Sequence, residues 1–396
     1  MDLTYSEKDR AFRAEVRTFI QSALPKDVAQ RSRSGVHTSK HDLQTWNRIL
    51  DEKGWAAAHW PEEYGGSGWS PAQIYIFEEE CAAADAPFLS FFGLRLLGPL
   101  LCRFGTDEQK ARYLADIRRG DVFWCQGFSE PSAGSDLAAV KTTAVRDGDE
   151  YVINGQKTWT TEAHFADKMF CLARTDPDVR PQKGGLSIFM FDMKVPQVTV
   201  RPIITLDGGH SINEVFLDNV RVPATELLGH EGQGWDQAKF LLTNERVTNA
   251  HVPQCKRSLE LIRELAEVMG ANSILTRPDI RARLTQLEID VHGLEWMVLQ
   301  ELFSERHADN GVLASGLKIR GSEIQQRLAD LAVEIAGPTA VIDFSGLTVA
   351  DNELPANSPP QMLSIAARQL FSRATSIYAG TNEIQRDIIA RQIMRK

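Results

Sequence analysis

The hydrophobic period changes twice along this chain, and those two changes limit the folds open to it more than any single motif does. Phe12, Val16 and Phe19 repeat at helical spacing behind a Ser6 cap with Asp9 three residues on. Residues 43–54, 70–84 and 106–118 read as further helices, with Thr106 as an N-cap, and residues 60–70 as a Gly/Pro/aromatic loop. After about residue 122 the spacing becomes two. Asp147-Gly148 and Asn154-Gly155 are tight-turn signals between β-rich runs, and residues 168–174, 185–192, 198–203 and 212–217 continue as strands towards Arg221-Val222-Pro223. From Gly234 the helical spacing returns. Ile324, Leu328, Leu331 and Ile335 form an apolar stripe stopped by Gly337-Pro338, residues 351–360 form a proline-containing loop, and residues 362–376 resume the helix. Helices, strands and helices in blocks predict an α+β chain of three segregated units rather than an alternating α/β sheet. The expected units are an N-terminal helical domain at residues 1–122, a middle antiparallel β domain at 123–230, and a C-terminal helical bundle at 231–396.

Composition narrows the function classes. Acidic residues outnumber basic ones, 53 to 44, and the net charge of −9 argues against nucleic-acid binding. No apolar run approaches the roughly 20 residues a membrane span needs. Asp2, Glu7 and Asp9 precede any apolar face, unlike a targeting peptide, so a cytoplasmic protein without a membrane partner is expected. Cys81, Cys102, Cys125, Cys171 and Cys255 are scattered and read as reduced thiols in core positions. Among the histidines, His37 and His41 alone have a chelating spacing, but Lys40 intervenes and no third ligand is near; no metal is expected. Gly66-Ser67-Gly68 follows no strand, which removes the dinucleotide reading.

Three stretches carry the functional signal. Residues 124–136 read W-C-Q-G-F-S-E-P-S-A-G-S-D, residues 154–161 read N-G-Q-K-T-W-T-T, and residues 378–386 read Y-A-G-T-N-E-I-Q-R. By itself the first is a polar turn: Pro131 stiffens it, Gly134 admits a close approach, and Ser129 and Ser135 carry short hydroxyls. Together, and with Pro61-Glu62-Glu63-Tyr64-Gly65-Gly66, residues 104–110 and Arg221-Val222-Pro223 in the expected order, they resemble the acyl-CoA dehydrogenase family of flavoproteins over nearly the whole chain. The resemblance implies FAD as cofactor, an acyl-CoA substrate desaturated to a 2,3-enoyl-CoA, and an electron-transfer flavoprotein as acceptor. It also implies an acyl-CoA dehydrogenase-like arrangement of helical, β and helical domains.

What the family's reaction needs is a carboxylate base, a clamp on the thioester carbonyl and an oriented isoalloxazine. By resemblance Phe128, Ser129, Trp159 and Thr161 border the flavin ring, Gly134 and Ser135 lie at the pyrophosphate and acyl-CoA side, and Thr381 bonds the cofactor from the C-terminal side. Many members carry the base directly after the tyrosine, as Y-E-G-T. Here that position is Ala379, which cannot be a base but keeps the backbone N–H that implies the thioester clamp. Isovaleryl-type and long-chain-type members instead place a glutamate before an arginine on an early C-terminal helix. Leu242-Thr243-Asn244-Glu245-Arg246 matches that pattern, so the resemblance makes Glu245 the base, with Arg246 beside the substrate in a structural role.

A second departure concerns assembly. Family homotetramers present an R-x-x-F-G stretch to a neighbour's FAD; residues 271–279 here read A-N-S-I-L-T-R-P-D, and Glu334 stands where a glutamine meets the cofactor. A carboxylate near a pyrophosphate is unfavourable. Both changes resemble large subunits of heteromeric members, such as that of pimeloyl-CoA dehydrogenase and certain bacterial steroid side-chain dehydrogenases. A heterotetramer with a sister subunit and a homo-oligomer, the family's usual tetramer, are the two expected assemblies. Two rival functions are a non-catalytic assembly subunit and an acyl-CoA oxidase or flavin monooxygenase on the same fold. His210 reads as a loop residue, and Phe91, Phe92 and Leu96 as apolar positions that serve either the core or an acyl pocket.

Overall fold

The computed structural model describes residues 5–34, 38–89, 91–244, 250–269, 275, 277–302, 311–341 and 364–394, with backbone alone at 242–244, 311 and 341. Its first block is helical: α1 (Glu7–Ala23), α2 (Lys26–Ser34), α3 (Lys40–Glu52), α4 (Pro71–Ala83), a π-helical turn (Phe91–Leu97), α5 (Gly98–Phe104) and α6 (Asp107–Arg119). Three of these helices begin with a reciprocal capping box, Ser6 with Asp9, Ser70 with Gln73 and Thr106 with Gln109. Each box satisfies amide donors that the first turn leaves without partners.

Seven strands follow: β1 (Trp124–Gly127), β2 (Thr143–Asp147), β3 (Glu150–Thr161), β4 (Lys168–Arg174), β5 (Leu186–Asp192), β6 (Val198–Ile203) and β7 (Ile212–Pro223). They lie in the order β1-β4-β2-β3-β7-β6, with β5 on the other side of β4. Antiparallel pairing joins β2–β3, β3–β7, β4–β5 and β6–β7. The expectation of an antiparallel domain is modified at β4, which runs parallel to β1 and, through one residue pair, to β2. The Asp147-Gly148 turn joins β2 to β3, with Gly148 at φ 66°.

Asn154-Gly155 is not a turn. It lies inside β3, where the register against β7 shifts between Ile153 and Gly155. Pairing along two neighbouring strands overrides the local turn preference, and the glycine serves close approach instead: a Cβ there would meet Thr142 Oγ1 at 2.3 Å.

Covered on both faces, β4 explains its unbroken apolar run. Phe170 and Leu172 pack with Leu94, Leu97, Tyr113 and Ile117 of the helical block, whereas Met169, Cys171 and Ala173 pack with Tyr151, Phe189 and Val215 inside the β unit. Helices then return as α7 (Gly234–Asn244), α8 (Val252–Val268), α9 (Pro278–Leu302), α10 (Gly311–Ala336), α11 (Ile365–Ser372) and α12 (Asn382–Met394). The Ile324, Leu328, Leu331 and Ile335 stripe of α10 is buried against Leu259 and Ile262 of α8 and Val291 and Leu294 of α9. At Gly337, with φ 59°, the helix gives way to a 3-10 turn.

Charged side chains tie the first helices to the last. Glu79 of α4 takes ion pairs from Arg13 of α1 and Lys256 of α8, and Lys256 also reaches Glu295 of α9 at 2.9 Å. Among the described residues no helix is long and apolar enough to cross a membrane.

Candidate active site

Two of the three sequence stretches meet along β1 and β3. Thr158 N donates to Ser129 O at 2.9 Å, which lays the strand carrying Trp159 beside the residues that follow β1. Beyond Ser129 the chain folds back at once, because Glu130 and Ala133 exchange both backbone hydrogen bonds at 3.0 Å. This leaves Pro131 and Ser132 at the tip and carries Gly134 and Ser135 into solvent, where nothing lies within 4 Å of a Cβ placed on Gly134. Phe128 turns the other way, 7% exposed, with its ring edge-on to Phe170 at 5.8 Å.

The join is anchored by a buried ion pair that sequence reasoning missed. Lys157 is fully buried, and its Nζ donates to Glu130 Oε1 at 2.9 Å, Leu172 O at 2.7 Å and Phe128 O at 3.3 Å. All three ammonium donors therefore have acceptors. Glu130 also accepts from the backbone N–H groups of Lys141 and Thr142 at 2.7 and 2.9 Å. Burial alone would raise this carboxyl, yet Lys157 and the amide donors hold it below its ordinary range. The signal was present in the sequence as two charges, in S-E-P and G-Q-K, set within otherwise small or apolar neighbours.

Trp159 is the conspicuous side chain of this edge: it is 61% exposed and its backbone lies at φ 57°. A bulky residue in the left-handed region is held there against its own preference, and such positions concentrate at functional sites. Thr161, half-buried, pairs with Ile212 two residues on. The exposed indole offers a flat apolar face, with Thr161 two residues on in the strand and Ser129 across the backbone bond to Thr158, a set of residue types that suits a planar heteroaromatic ring such as an isoalloxazine. Behind it, Glu162 (φ 62°) has a buried Oε2 without a hydrogen-bond partner among the described residues, and burial pushes its carboxyl up to about 7. His210 stacks on His164 at 4.2 Å and meets Asn213 at 2.7 Å, as a side chain of the loop before β7.

The third stretch is mounted separately, on the C-terminal helices. Ala379 and Gly380 have φ values of 53° and 81°, and Thr381 Oγ1 accepts from Ile384 N at 3.2 Å to cap α12. Gln385 Nε2 reaches back to Ala379 O at 3.4 Å. Glu245 and Arg246 lie outside the described residues, as do residues 271–274 and 276; α7 leads up to them at Asn244. Glu334 is ion-paired with Arg283 of α9. In the π-helical turn Leu96 is buried, while Phe91 and Phe92 are half-buried with rings edge-to-face at 5.7 Å.

Known proteins share the sequence pattern and the fold of this chain. Residues 6–121, 125–220 and 232–394 match the models of the acyl-CoA dehydrogenase N-terminal, middle and C-terminal domains. The acyl-CoA dehydrogenase IpdE1 of Mycobacterium tuberculosis is 37% identical over 391 residues, covering 97% of this chain and 96% of that protein. FadE29 of the same organism, also an acyl-CoA dehydrogenase, is 31% identical over 392 residues, or 98% and 97% of the two chains. Among solved structures, the Tcur3481-Tcur3483 steroid ACAD superimposes with a TM-score of 0.85 at 29% identity, covering 100% and 99% of the two chains. The ChsE4-ChsE5 complex from Mycobacterium tuberculosis gives 0.82 at 28% identity over 100% and 99%. The chain therefore belongs to the acyl-CoA dehydrogenase family and is an FAD-dependent oxidoreductase of acyl-CoA thioesters.

Proposed function

We propose that this chain desaturates an acyl-CoA to the 2,3-enoyl-CoA with Glu245 as base and the Ala379 N–H as the clamp on the thioester carbonyl. The observation that supports this reading is the left-handed turn at Ala379 and Gly380, at the position where a side-chain carboxylate is absent. A hydrogen bond from that N–H to the carbonyl oxygen strengthens as the α C–H bond breaks and charge moves onto the oxygen, so it lowers the barrier. Glu245 takes the α proton, and Arg246 and Ser135 hold the acyl-CoA. Phe128, Ser129, Gly134, Ser135, Trp159, Thr161 and Thr381 hold the FAD, with the Trp159 face excluding water from one side of the ring. FAD, when bound, supplies the acceptor for the β hydride at its N5. The three units at residues 1–122, 123–230 and 231–396 divide the work, the middle one giving most flavin contacts and the last one the base. The enzyme works in the cytoplasm and passes its electrons to an electron-transfer flavoprotein.

Glu245→Gln tests the base: FAD content and ligand binding persist while turnover falls by roughly 10²–10⁴-fold. Near-normal bleaching of the flavin by acyl-CoA in that variant overturns the assignment. A second reading adds a sister subunit that completes the adenosine half of the FAD site. It is supported by the acidic Glu334, and by the two-protein complexes among the structural relatives. FAD stoichiometry of the chain purified alone separates the two: about one per chain favours a homo-oligomer, and little or none favours the heteromer.

A further inference from the structure

Lys318, in the middle of α10, is 4% exposed, and its Nζ donates to Asn382 Oδ1 at 2.9 Å. Asn382 is itself 4% exposed and opens α12, directly after the Ala379-Gly380-Thr381 turn. One turn further along α10, Ser322 Oγ accepts from Asn382 Nδ2 at 3.0 Å. Ser322 also lies against the other side of the turn: Thr375 Oγ1, which donates to Ser372 O at 2.7 Å, is 3.4 Å from the Ser322 carbonyl. Gln326, one more turn along, reaches Thr375 Oγ1 at 3.3 Å and Ser376 Oγ at 3.2 Å. Positions 318, 322 and 326 share one face of the helix by their i, i+4 spacing. That face grips the chain just before and just after Ala379.

Ala379 needs such a grip. Its φ of 53° is a conformation an alanine avoids, and it persists only where the surroundings impose it. Among the described residues Lys318 Nζ forms no ion pair with a carboxylate. Burial draws the amine down to about 8, partly offset by Glu383 on α12, while His251 at the start of α8 feels its charge. A buried cation without a carboxylate partner is costly, and its hydrogen bond to Asn382 offsets only part of that cost.

We propose that Lys318 is a positioning residue for the reaction: through the Asn382 amide it holds the left-handed turn that presents the Ala379 N–H to the thioester carbonyl. The inference rests on the reading of Ala379 as the clamp. The test uses the FAD-loaded protein with a non-oxidisable acyl-CoA analogue carrying a labelled thioester carbonyl. Its stretching frequency reports the hydrogen bond from the Ala379 N–H. In the unaltered protein the bound carbonyl should be shifted to lower frequency; no shift there strikes the clamp reading itself and leaves nothing for Lys318 to position. Given that shift, Lys318→Met should lose at least half of it and lower kcat about 10-fold or more with KM changed less than threefold, while Lys318→Arg recovers part of both. A full shift in Lys318→Met overturns the proposal. If that variant does not fold, Asn382→Ser is read in the same way, and an unchanged carbonyl shift there overturns it equally.

Discussion

Trp159 and Ala379 are both non-glycine residues in the left-handed region, with φ values of 57° and 53°, yet the protein holds them by different means. Trp159 sits on a twelve-residue strand paired to β7, and the residue before it in sequence but one, Lys157, is a buried cation with a carboxylate and two carbonyls around it. Ala379 sits in a short turn between helices, steadied by a buried cation that, among the described residues, donates to one neutral amide. The sheet side is an electrostatically closed unit; the helix side is held by neutral side-chain hydrogen bonds from Ser322 and Gln326 and by one charge-assisted bond from Lys318. On the proposed reading the first would serve as the cofactor platform and the second as the clamp on the thioester carbonyl.

The contrast can be broken most forcefully at Lys157. Lys157→Met leaves Glu130 buried without its cation and should cost about 3–5 kcal/mol in chemical denaturation. A loss below about 1 kcal/mol would show that the closed unit is not what stabilises the sheet. Behind the same strand, Glu162 sharpens the comparison through pH. Its carboxyl is raised to about 7, so the folded state binds the proton more tightly than the unfolded chain. Its contribution is fully present below the unfolded value and is lost as pH rises through about 7. Glu162→Gln should remove a pH-dependent part of stability of about 3 kcal/mol, read as a flatter plot of melting temperature against pH. Lys318→Met should cost less than Lys157→Met, about 1–2 kcal/mol, because one hydrogen bond is lost and an expensive buried charge goes with it. Equal losses at the two lysines would erase the distinction. The smallest effect has the opposite sign: Ala379→Gly relieves the left-handed strain and should stabilise by up to about 1 kcal/mol while loosening the turn, raising melting temperature and lowering turnover.

Legibility from sequence followed the range of the interaction. Capping boxes lie within four residues: the Ser6 and Thr106 caps stand where the text of the chain puts them, and Ser70, read as the first helical residue, is the cap of the helix that starts at Pro71. Residues 168–174, an apolar run buried on both faces, and residues 198–203, which alternate in exposure, matched as strands to the residue. Asn154-Gly155 misled because its turn preference is local while the β3–β7 ladder is not. Lys157 and Glu130 are 27 positions apart, and Lys318 and Asn382 are 64 apart, so only the register of strands and the packing of helices bring them together. Trp159 was noticed through its motif, but its exposure and strain belong to the fold. The stretches proposed to face FAD were legible as chemistry before they were legible as shape.

Because successive side chains of β4 enter two different cores, this strand acts as a party wall between two rooms. Phe170 belongs to the room shared with the helices and Cys171 to the one inside the β unit, although they are neighbours in sequence. A change of volume at Phe170 should therefore be answered by Leu97 or Ile117 and ignored by Cys171, while Cys171 trades space with Phe189. Drift in such a strand splits into two independent histories written on alternate letters, and compensating changes skip a residue rather than fall on adjacent ones.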